Sequence, residues 1–331
     1  MSHPPPRDAV LLLTHSGDYY TIDRVAEALA RRGARPFRLD TDLFPEEVRL
    51  SARLSGDEPA HVIEAKGERL SAAEVRAVWA RKLWAARLDE RLGEEFRVLC
   101  ARESFAALEG FLDGLAGARW VNDPRRERAA EDKLRQLRAA REAGLEVPRT
   151  LLTNDPAEAR AFFREAGGRV VTKLLRPLSV SMGAAPLFVY TSDVTEADLR
   201  EAEQLRHCPA VFQERVEKER ELRVAYVSGR CFAGAVDARG SARGATDWRR
   251  AEVGECPWEH GEVPADVAAR LDALMRRLGL RYGAADFIRT PDGRHVFLEV
   301  NPGGEWGMLE RDLGLPIADA IAEELLKSSR Q

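Results

Sequence analysis

The first forty residues alternate apolar and polar stretches in a pattern that predicts a strand, a helix and a second strand. An apolar run from Ala9 to Leu13 predicts a buried strand, and a helix is expected from about Thr21 to Arg32, before Gly33. The second strand is expected at Pro36 to Leu39. Short loops join these elements, which predicts a parallel βαβ unit with a right-handed crossover. The unit contains neither GxGxxG nor a P-loop sequence, so the favoured interpretation is a scaffold and a dinucleotide site is the alternative.

Helical periodicity dominates the region that follows. Apolar residues recur near one stripe from Glu94 to Leu115, and a second helix is expected from about Glu127 to Ala143. This second helix stops at Gly144, and Pro148 lies just beyond it. We therefore predict a domain boundary at this point.

Beyond Pro148, short predicted strands alternate with helices, and two hairpins stand out. The hairpins turn at Ser228-Gly229 and at Pro291-Asp292-Gly293, both with suitable turn chemistry. The strands are expected at Arg169–Leu175, Leu187–Tyr190, Ala210–Arg215, Glu221–Val227 and Arg230–Val236. The helices that cover them are expected at Asp193–Leu205, Pro264–Leu278 and Pro316–Leu326. The pattern predicts an α+β domain dominated by antiparallel strands.

The second of these hairpins carries the strongest candidate chemistry. If its loop is the two residues Pro291-Asp292, then Asp286 opposes Phe297. Because side chains alternate faces along a strand, Asp286, Glu299 and Asn301 then share one face. Two carboxylates and an amide oxygen form a hard ligand set suited to Mg²⁺. The alternative is a hairpin whose solvated face happens to carry acids, and a three-residue loop would shift the register and scatter the ligands.

Three basic residues are candidates for binding phosphate groups beside such a metal. Lys173 lies in an apolar strand, where an unpaired ammonium is costly, so either a phosphate or a structural salt bridge is expected to accompany it. Arg223 lies between Leu222 and Val224 in a predicted strand, so its side chain faces the opposite side from theirs. Its planar guanidinium can donate two hydrogen bonds to a phosphate. Lys133 lies on the second predicted helix, where spacing alone favours a solvated residue.

Other motifs narrow the reaction class. At the end of the strand Val211 to Val216, free backbone N–H and C=O groups could form hydrogen bonds with an adenine base. Any strand end has such free groups, so this signal is weak. The chain contains no GxSxG or HExxH sequence, and the adjacent pair His207-Cys208 is better explained as a helix end than as a catalytic dyad. Bound Mg²⁺ and several cations without a covalent nucleophile indicate phosphoryl transfer.

Composition limits the kind of protein further. The 331 residues, 44% hydrophobic and 32% charged, suit two or three packed soluble units. The net charge of -4 disfavours nucleic acid as the main partner. The four cysteines are widely spaced, which disfavours a zinc site or a disulfide framework. Without a signal pattern or an apolar run of membrane length, no membrane partner and a cytoplasmic location are expected.

Taken together, these motifs resemble the ATP-grasp superfamily. Within it, the chain looks like the peptide cyclases of microviridin-type maturation, whose products are graspetides, or omega-ester-containing peptides. The matching segments are Leu13–Asp18, Phe37–Pro45, Pro148–Pro156, Phe212–Glu214, Glu221–Val224, Asp247–Arg249 and Phe297–Pro302. The resemblance implies an α/β and α+β ATP-grasp fold with an N-terminal pre-ATP-grasp βαβ domain, a central lid domain and a C-terminal antiparallel-sheet domain. The expected boundaries are residues 1–122, 123–212 and 213–331.

The resemblance also implies roles for individual residues, with ATP and Mg²⁺ as cofactors. The expected ATP-binding residues are Lys133, Lys173, Gln213, Glu214, Arg215, Val216 and Glu221. The expected magnesium ligands are Asp286, Glu299 and Asn301. The expected catalytic residues are Arg223, Asp237, Asp247 and Arg249. In this scheme the two lysines hold phosphates, residues 213–216 form the adenine hinge, and the loop Ser179–Gly183 covers the phosphates.

The implied reaction is phosphorylation of Glu or Asp side chains in a ribosomal precursor peptide, followed by ring closure as side-chain esters or amides. The peptide would carry a helical leader, docking near Asp193 to Leu205, and a core with Thr or Ser and Glu or Asp; a homodimer is plausible. One alternative is a ligase that adds a free amino acid to a peptide or protein end, and another is a non-catalytic nucleotide- and peptide-binding module. The chain departs from the family pattern at Arg176-Pro177-Leu178, Ala238-Arg239 and Gly303-Gly304.

Overall fold

The structure, a computed structural model, describes residues 7–54, 60–175, 191–237 and 256–328. The chain divides into two compact units. The first comprises Met1–Pro124, Leu280–Tyr282 and Pro316–Gln331, and the second comprises Arg125–Gly279 and Gly283–Leu315. The predicted division into residues 1–122, 123–212 and 213–331 is finer than these two units and stays a prediction.

The first unit contains a parallel sheet and a smaller antiparallel sheet. Its first elements are β1 (Ala9–Thr14), α1 (Thr21–Arg31), β2 (Arg35–Asp40), β3 (Arg49–Arg53), β4 (Ala60–Ala65), β5 (Glu68–Ser71), β6 (Val75–Ala80), α2 (Glu94–Asp113) and β7 (Arg119–Val121). The strands in the order β2-β1-β6-β7 are parallel, and β3, β4 and β5 are antiparallel. Every residue of β1 is buried, as its apolar run predicts. The predicted βαβ unit is confirmed, whereas the antiparallel sheet was not predicted.

The second unit contains two further sheets. The remaining elements of the chain are α3 (Pro124–Ala130), α4 (Lys133–Glu142), β8 (Thr150–Thr153), α5 (Pro156–Glu165), β9 (Val170–Lys173), β10 (Ser192–Asp193), α6 (Glu196–Arg200), β11 (Ala210–Glu214), β12 (Arg220–Val227), β13 (Arg230–Val236), β14 (Glu259–His260), α7 (Ala265–Leu278), β15 (Tyr282–Arg289), β16 (His295–Asn301), α8 (Gly307–Leu313) and, in the first unit, α9 (Ile317–Leu326). One sheet has the antiparallel order β10-β9-β11-β8, and the other has the order β14-β13-β12-β15-β16. No helix in the described part of the chain is both long and apolar enough to cross a bilayer.

Two helical predictions need correction. The helix expected from Glu127 to Ala143 is two helices, α3 and α4, because the Asp132 side chain accepts a hydrogen bond from the Arg135 N–H and so begins a new helix. The helix expected over Asp193–Leu205 is only α6 with a following 3₁₀ turn, and β10 precedes it. The strand predicted at residues 187–190 lies outside the described residues.

A buried carboxylate ties α9 to the rest of the first unit. Glu324 on α9 is 1% exposed and forms ion pairs with Arg119, Arg281 and Lys327. The Lys327 Nζ lies 2.7 Å from a Glu324 carboxylate oxygen, and the Arg119 Nε donates to the Glu324 backbone carbonyl at 2.7 Å. Because a buried carboxylate is costly without such partners, this cluster fixes the position of α9.

We expect Glu324→Gln to lower the free energy of unfolding by about 3–5 kcal/mol, because it leaves the largely buried Arg119 without its carboxylate partner. Urea denaturation followed by circular dichroism measures the change. Glu323→Gln is the matched control, since this neighbouring carboxylate is exposed and pairs with Arg32; its expected effect is below about 1 kcal/mol. Equal losses in the two variants would contradict the importance of the buried cluster.

Candidate active site

The hairpin of β15 and β16 has a different loop from the predicted one. The loop is three residues, Pro291 to Gly293, closed by a 3.0 Å backbone hydrogen bond between the flanking residues. Proline holds φ near about -65°, which excludes it from the first position of the two-residue turns that require positive φ there. Gly293 supplies the positive φ, 84°, at the third loop position. The predicted two-residue loop, with Asp286 opposite Phe297, is therefore wrong.

A β-bulge restores the arrangement that the longer loop would otherwise have lost. Phe287 opposes Phe297, but beyond this pair the register shifts, so that Asp286 opposes Glu299 and Leu298 is the extra residue. The two phenylalanine rings are buried and meet edge to face, with centroids 5.5 Å apart. The bulge thus keeps both rings in the core and both acids on the opposite face.

The structure brings Asp286, Glu299 and Asn301 together on that face. The Asn301 Nδ2 lies 3.4 Å from Asp286 Oδ2 and 3.5 Å from Glu299 Oε1. A carboxamide presents its oxygen instead of its nitrogen after a half-turn of the end group. Three oxygen-bearing groups therefore converge, and this donor set fits Mg²⁺. No group of three His, Cys, Asp or Glu side chains in the described part of the chain could hold a metal, so the mixed set is the candidate.

A cation faces each of the two carboxylates. The Arg223 Nη1, on β12, donates to both carboxylate oxygens of Asp286 at 2.9 Å. The Lys133 Nζ, at the start of α4, lies 2.8 Å from Glu299 Oε2. The two basic side chains are 11% and 15% exposed, so these ion pairs are largely shielded from solvent. Lys133 is therefore not the solvated helix residue that its spacing favoured.

Arg223 is also held by the loop that follows β16. Its Nε and Nη2 donate to the Glu305 carbonyl oxygen at 3.2 and 3.1 Å. Its strand neighbours Leu222 and Val224 are buried on the other face of the sheet. With Asp286 on one edge and a carbonyl on the other, the guanidinium has a fixed orientation, as required of a group that stabilises charge developing in a transition state.

Gly304 provides the space that Arg223 occupies. A Cβ at this position would lie 2.6 Å from the Ala284 Cβ and 2.8 Å from the Arg223 Nη2. Such distances are too short for any side chain, so a larger residue would displace either the loop or the guanidinium. This close approach explains the second glycine of the pair Gly303-Gly304, which departs from the family pattern.

We expect Gly304→Ala to lower kcat for ADP release by roughly 10- to 100-fold, because a displacement of about 1 Å at a charge-stabilising group is that costly. A coupled ADP assay with a peptide substrate measures kcat, and circular dichroism checks the fold. Gly110→Ala on α2 is the control, since a Cβ there meets nothing within 4 Å. Unchanged turnover in a folded Gly304→Ala protein would contradict the importance of this space.

Lys173 and Gln213 lie on neighbouring strands of the four-stranded sheet. Lys173 is the last residue of β9, is partly buried and lies opposite Val211 of β11. The Gln213 side chain is buried, and its Nε2 donates to Thr150 Oγ1 at 2.9 Å. The Gln213 carboxamide is therefore tied into the sheet, which leaves backbone groups as the means by which this segment could contact a base.

The other predicted hinge residues lead from the end of β11 into the loop before β12. Glu214 is partly buried, and its N–H donates to the Arg149 carbonyl at 2.9 Å. Arg215 is exposed, with its Nη1 3.3 Å from Asp193 Oδ1, and Val216 is partly buried. The segment thus leaves the sheet between the residues that precede β8 and β9, since the Arg215 N–H donates to the Arg169 carbonyl at 2.9 Å.

Glu221 pairs with a lysine that the sequence analysis missed. The Lys218 Nζ lies 2.6 Å from Glu221 Oε1, and both side chains are largely buried. Asp237 follows directly after Val236, which opposes Glu221, so the two acids lie at the same end of the β12–β13 pair. The predicted residues outside the described part of the chain are Asp247, Arg249 and the loop Ser179–Gly183.

Part of the chain matches a family model. Residues 9–128 match the MvdD pre-ATP grasp domain. Comparison with curated protein sequences gives no match. The family match accounts for the N-terminal parallel sheet and leaves the candidate site to be compared through solved structures.

Solved structures match the chain over nearly its whole length. Macrocyclase MdnB from Microcystis aeruginosa MRC is 47% identical, with a TM-score of 0.83 over 98% of this chain and 100% of that chain. This chain belongs to the ATP-grasp macrocyclase family. Macrocyclase MdnC from the same organism, bound with precursor peptide MdnA, is 33% identical, with a TM-score of 0.86 over 97% and 100%. The ATP-grasp ligase PsnB, complexed with a phosphomimetic variant of a minimal precursor, Mg and ADP, is 26% identical, with a TM-score of 0.74 over 97% and 99%.

Membership of the macrocyclase family confirms the predicted family and fold class, and it makes the chain a ligase of the ATP-grasp type. The parallel sheet of the first unit and the antiparallel sheets of the second agree with the predicted α/β and α+β architecture. The roles of individual residues in the candidate site stay predictions.

Proposed function

We propose that this macrocyclase-family ligase uses ATP and Mg²⁺ to phosphorylate Glu or Asp side chains of a ribosomally made precursor peptide and then closes rings as side-chain esters or amides. The observation that carries the proposal is the convergence of two carboxylates, one carboxamide and two cations in one site. These residues are Asp286, Glu299, Asn301, Arg223 and Lys133. Carboxylates bind divalent cations and basic side chains bind phosphate oxygens, and phosphoryl transfer requires both kinds of contact. The precursor peptides in the MdnC and PsnB structures support the substrate class.

The proposed contacts with the nucleotide follow from the placement of the side chains. Bound Mg²⁺ would act as a Lewis acid that offsets phosphate charge, held by Asp286, Glu299 and Asn301. Lys133 and Lys173 would contact phosphate oxygens. Adenine would meet the segment that contains Gln213, Glu214, Arg215 and Val216, and Glu221 would contact the ribose hydroxyls.

The proposed reaction has two steps. A substrate carboxylate oxygen attacks the γ-phosphorus of ATP, whose bond to the bridging oxygen breaks, giving an acyl phosphate and ADP. A Thr or Ser hydroxyl or a Lys amine then attacks the acyl carbon and loses its proton to a base, and phosphate leaves with the bonding electrons. Arg223 would stabilise charge in the first step. Asp237, Asp247 and Arg249 are assigned to the acceptor side, where water must be excluded to prevent hydrolysis.

Mass spectrometry of a peptide substrate tests the proposal. A suitable substrate is a precursor peptide with a helical leader and a core rich in Thr or Ser and Glu or Asp. Ring closure lowers the peptide mass by one water for each ring and releases one ADP for each ring. A gain of one residue in mass would instead indicate ligation of a free amino acid, the first alternative. ATP binding without ADP formation on any peptide would favour a non-catalytic binding module.

We also propose that the precursor leader docks on the central lid domain, residues 123–212, and that residues 213–331 form the domain with the metal site. The docking segment would contain β10 and α6, whose start is fixed by a capping box between Thr195 and Asp198. The bound precursor in MdnC supports a peptide-docking surface in this family.

We propose a homodimer that uses the exposed face of α2. Phe96 and Leu99, which are three residues apart and so lie on one side of this helix, are 56% and 54% exposed, and apolar side chains exposed together mark interaction sites. We expect Leu99→Glu to convert the dimer into a monomer, measured by sedimentation equilibrium. Tyr19→Glu, at another exposed position, should leave the dimer intact. A monomeric wild-type protein would contradict the proposal.

The proposed location is the cytoplasm, with neither nucleic acid nor membrane as a partner. All four cysteines are free thiols, which suits a reducing compartment. The net charge of -4 supports the expectation that nucleic acid is not a main partner.

A further inference from the structure

Gln136 is a buried polar residue that the proposed chemistry does not use. It lies on α4 and is 3% exposed. Its Oε1 accepts a hydrogen bond from the Val300 N–H at 2.9 Å, and its Nε2 donates to the Val300 carbonyl at 2.8 Å and to the Ala130 carbonyl at 2.6 Å. By bonding both the donor and the acceptor of one backbone residue, the carboxamide takes the place of a neighbouring strand.

The backbone residue that Gln136 holds lies between two proposed metal ligands. Val300 separates Glu299 from Asn301 on β16, which is an edge strand of the five-stranded sheet. On its other side Val300 is paired with Ala285 of β15. The position of this edge next to the ligands is therefore set by a side chain of α4.

We propose that Gln136 is a positioning residue that fixes α4 against β16 and thereby sets the distance between Lys133 and the metal-binding carboxylate Glu299. Lys133 and Gln136 are three residues apart on α4, so their side chains lie on one side of the helix. Both reach the same short stretch of β16: Lys133 contacts Glu299 at 2.8 Å, and Gln136 bonds the next residue. The hydrogen bonds of Gln136 thus fix the distance between Lys133 and the proposed metal site. The inference rests on the proposed function, since it uses the metal and phosphate roles given there.

Nucleotide binding distinguishes this positioning role from a purely structural one. Gln136→Leu removes the hydrogen bonds, and Gln136→Glu keeps the length and one acceptor but loses the donors. We expect the Mg²⁺ concentration for half-maximal binding of a fluorescent ATP analogue to rise about 10- to 100-fold in both variants, as is usual when a group that orients a metal ligand is lost. Binding of the analogue without Mg²⁺ should change less.

Two controls identify the origin of the change. Tyr226→Phe removes a 2.6 Å hydrogen bond to Asp272 in the same unit and none of the bonds that Gln136 makes, so it is a control for lowered stability, and its Mg²⁺ dependence should match the wild type. In a Lys133→Met background, Gln136→Leu should add less than about a twofold change, because residues that act through one another are not additive.

The outcomes separate this inference from the proposed function. A wild-type protein that binds no nucleotide with Mg²⁺ would contradict the proposed function. A wild-type protein that does bind, together with folded Gln136 variants of unchanged Mg²⁺ dependence, would overturn the role of Gln136. A shift in Tyr226→Phe as large as in the Gln136 variants would also overturn it. If Gln136→Leu does not fold, the Mg²⁺ dependence of nucleotide binding by Gln136→Glu tests the role of Gln136 by itself.

Discussion

Arg223→Ala is expected to reduce kcat for ADP release with a peptide substrate by about 10²–10³-fold while nucleotide affinity changes far less, since one preorganised charge stabiliser contributes about that much. Arg223 meets this description because Asp286 and the Glu305 carbonyl fix its guanidinium at 2.9–3.2 Å. Its charge would therefore be oriented before the proposed phosphoryl transfer. A coupled assay at saturating ATP measures kcat, and equilibrium titration measures nucleotide affinity.

Two further variants sharpen this result. Arg223→Lys should recover little activity, because an ammonium cannot reproduce the planar set of donors that Asp286 and the carbonyl now receive. Arg220→Ala removes a positive charge from the same strand, where it pairs with Glu259 at 2.8 Å, and should change kcat less than twofold. Full turnover by Arg223→Ala would refute the assigned role.

The second large effect is expected from Glu299→Gln, which should weaken Mg²⁺-dependent nucleotide binding by at least about 100-fold. The substitution removes a proposed charged oxygen ligand and also the ion-pair partner of Lys133, so it should affect the proposed metal site and phosphate site together. Titration with Mg²⁺ in the presence of a fluorescent ATP analogue measures the loss.

The appropriate control removes an acid outside the site. Glu219→Gln loses a carboxylate that pairs with Arg289 at 3.0 Å, and it should bind Mg²⁺ and nucleotide like the wild type. Glu299→Gln protein with a normal Mg²⁺ requirement would show that the acids on this hairpin do not hold the metal.

The fold was predictable where local pattern decides it. The apolar run Ala9–Leu13 of β1 and the Ser228-Gly229 turn between β12 and β13 both lie where expected. Periodicity predicts the wrong helix bounds where one polar residue outweighs it, as at Asp132, which starts a new helix inside a continuous helical pattern. The sheet of β3, β4 and β5 was not predicted, because its strands are short and its first strand is mostly exposed.

The hairpin that carries the acids shows the limit of register prediction. Pro291 is itself a signal against a two-residue loop, because its fixed φ does not suit the first position of such a turn. The bulge at Leu298 had no local signal, because it is selected by the need to bury Phe287 against Phe297 while Asp286 faces Glu299. The proposed ligands thus share a face for a reason that only the packed structure provides.

The missed site residues depend on contacts distant in sequence. In the sequence, Gln136 looks like an ordinary polar residue of a helix. Val300, with which it forms hydrogen bonds, lies 164 positions further along the chain. Gly304 reads as a loop glycine until Ala284 and Arg223 are placed around it. Lys218 is the exception, since its spacing of three residues from Glu221 offered a local hint of the ion pair.

The first unit draws on both halves of the chain, and this has a consequence for biosynthesis. Helix α9 and the segment Leu280–Tyr282 belong to that unit, and Glu324 closes its buried ion-pair cluster with Arg119. Because synthesis proceeds from the N-terminus, α9 is made some two hundred residues after the last strand of the parallel sheet. A nascent chain released before residue 317 would therefore lack α9 in its first unit, and we expect chaperones to bind it.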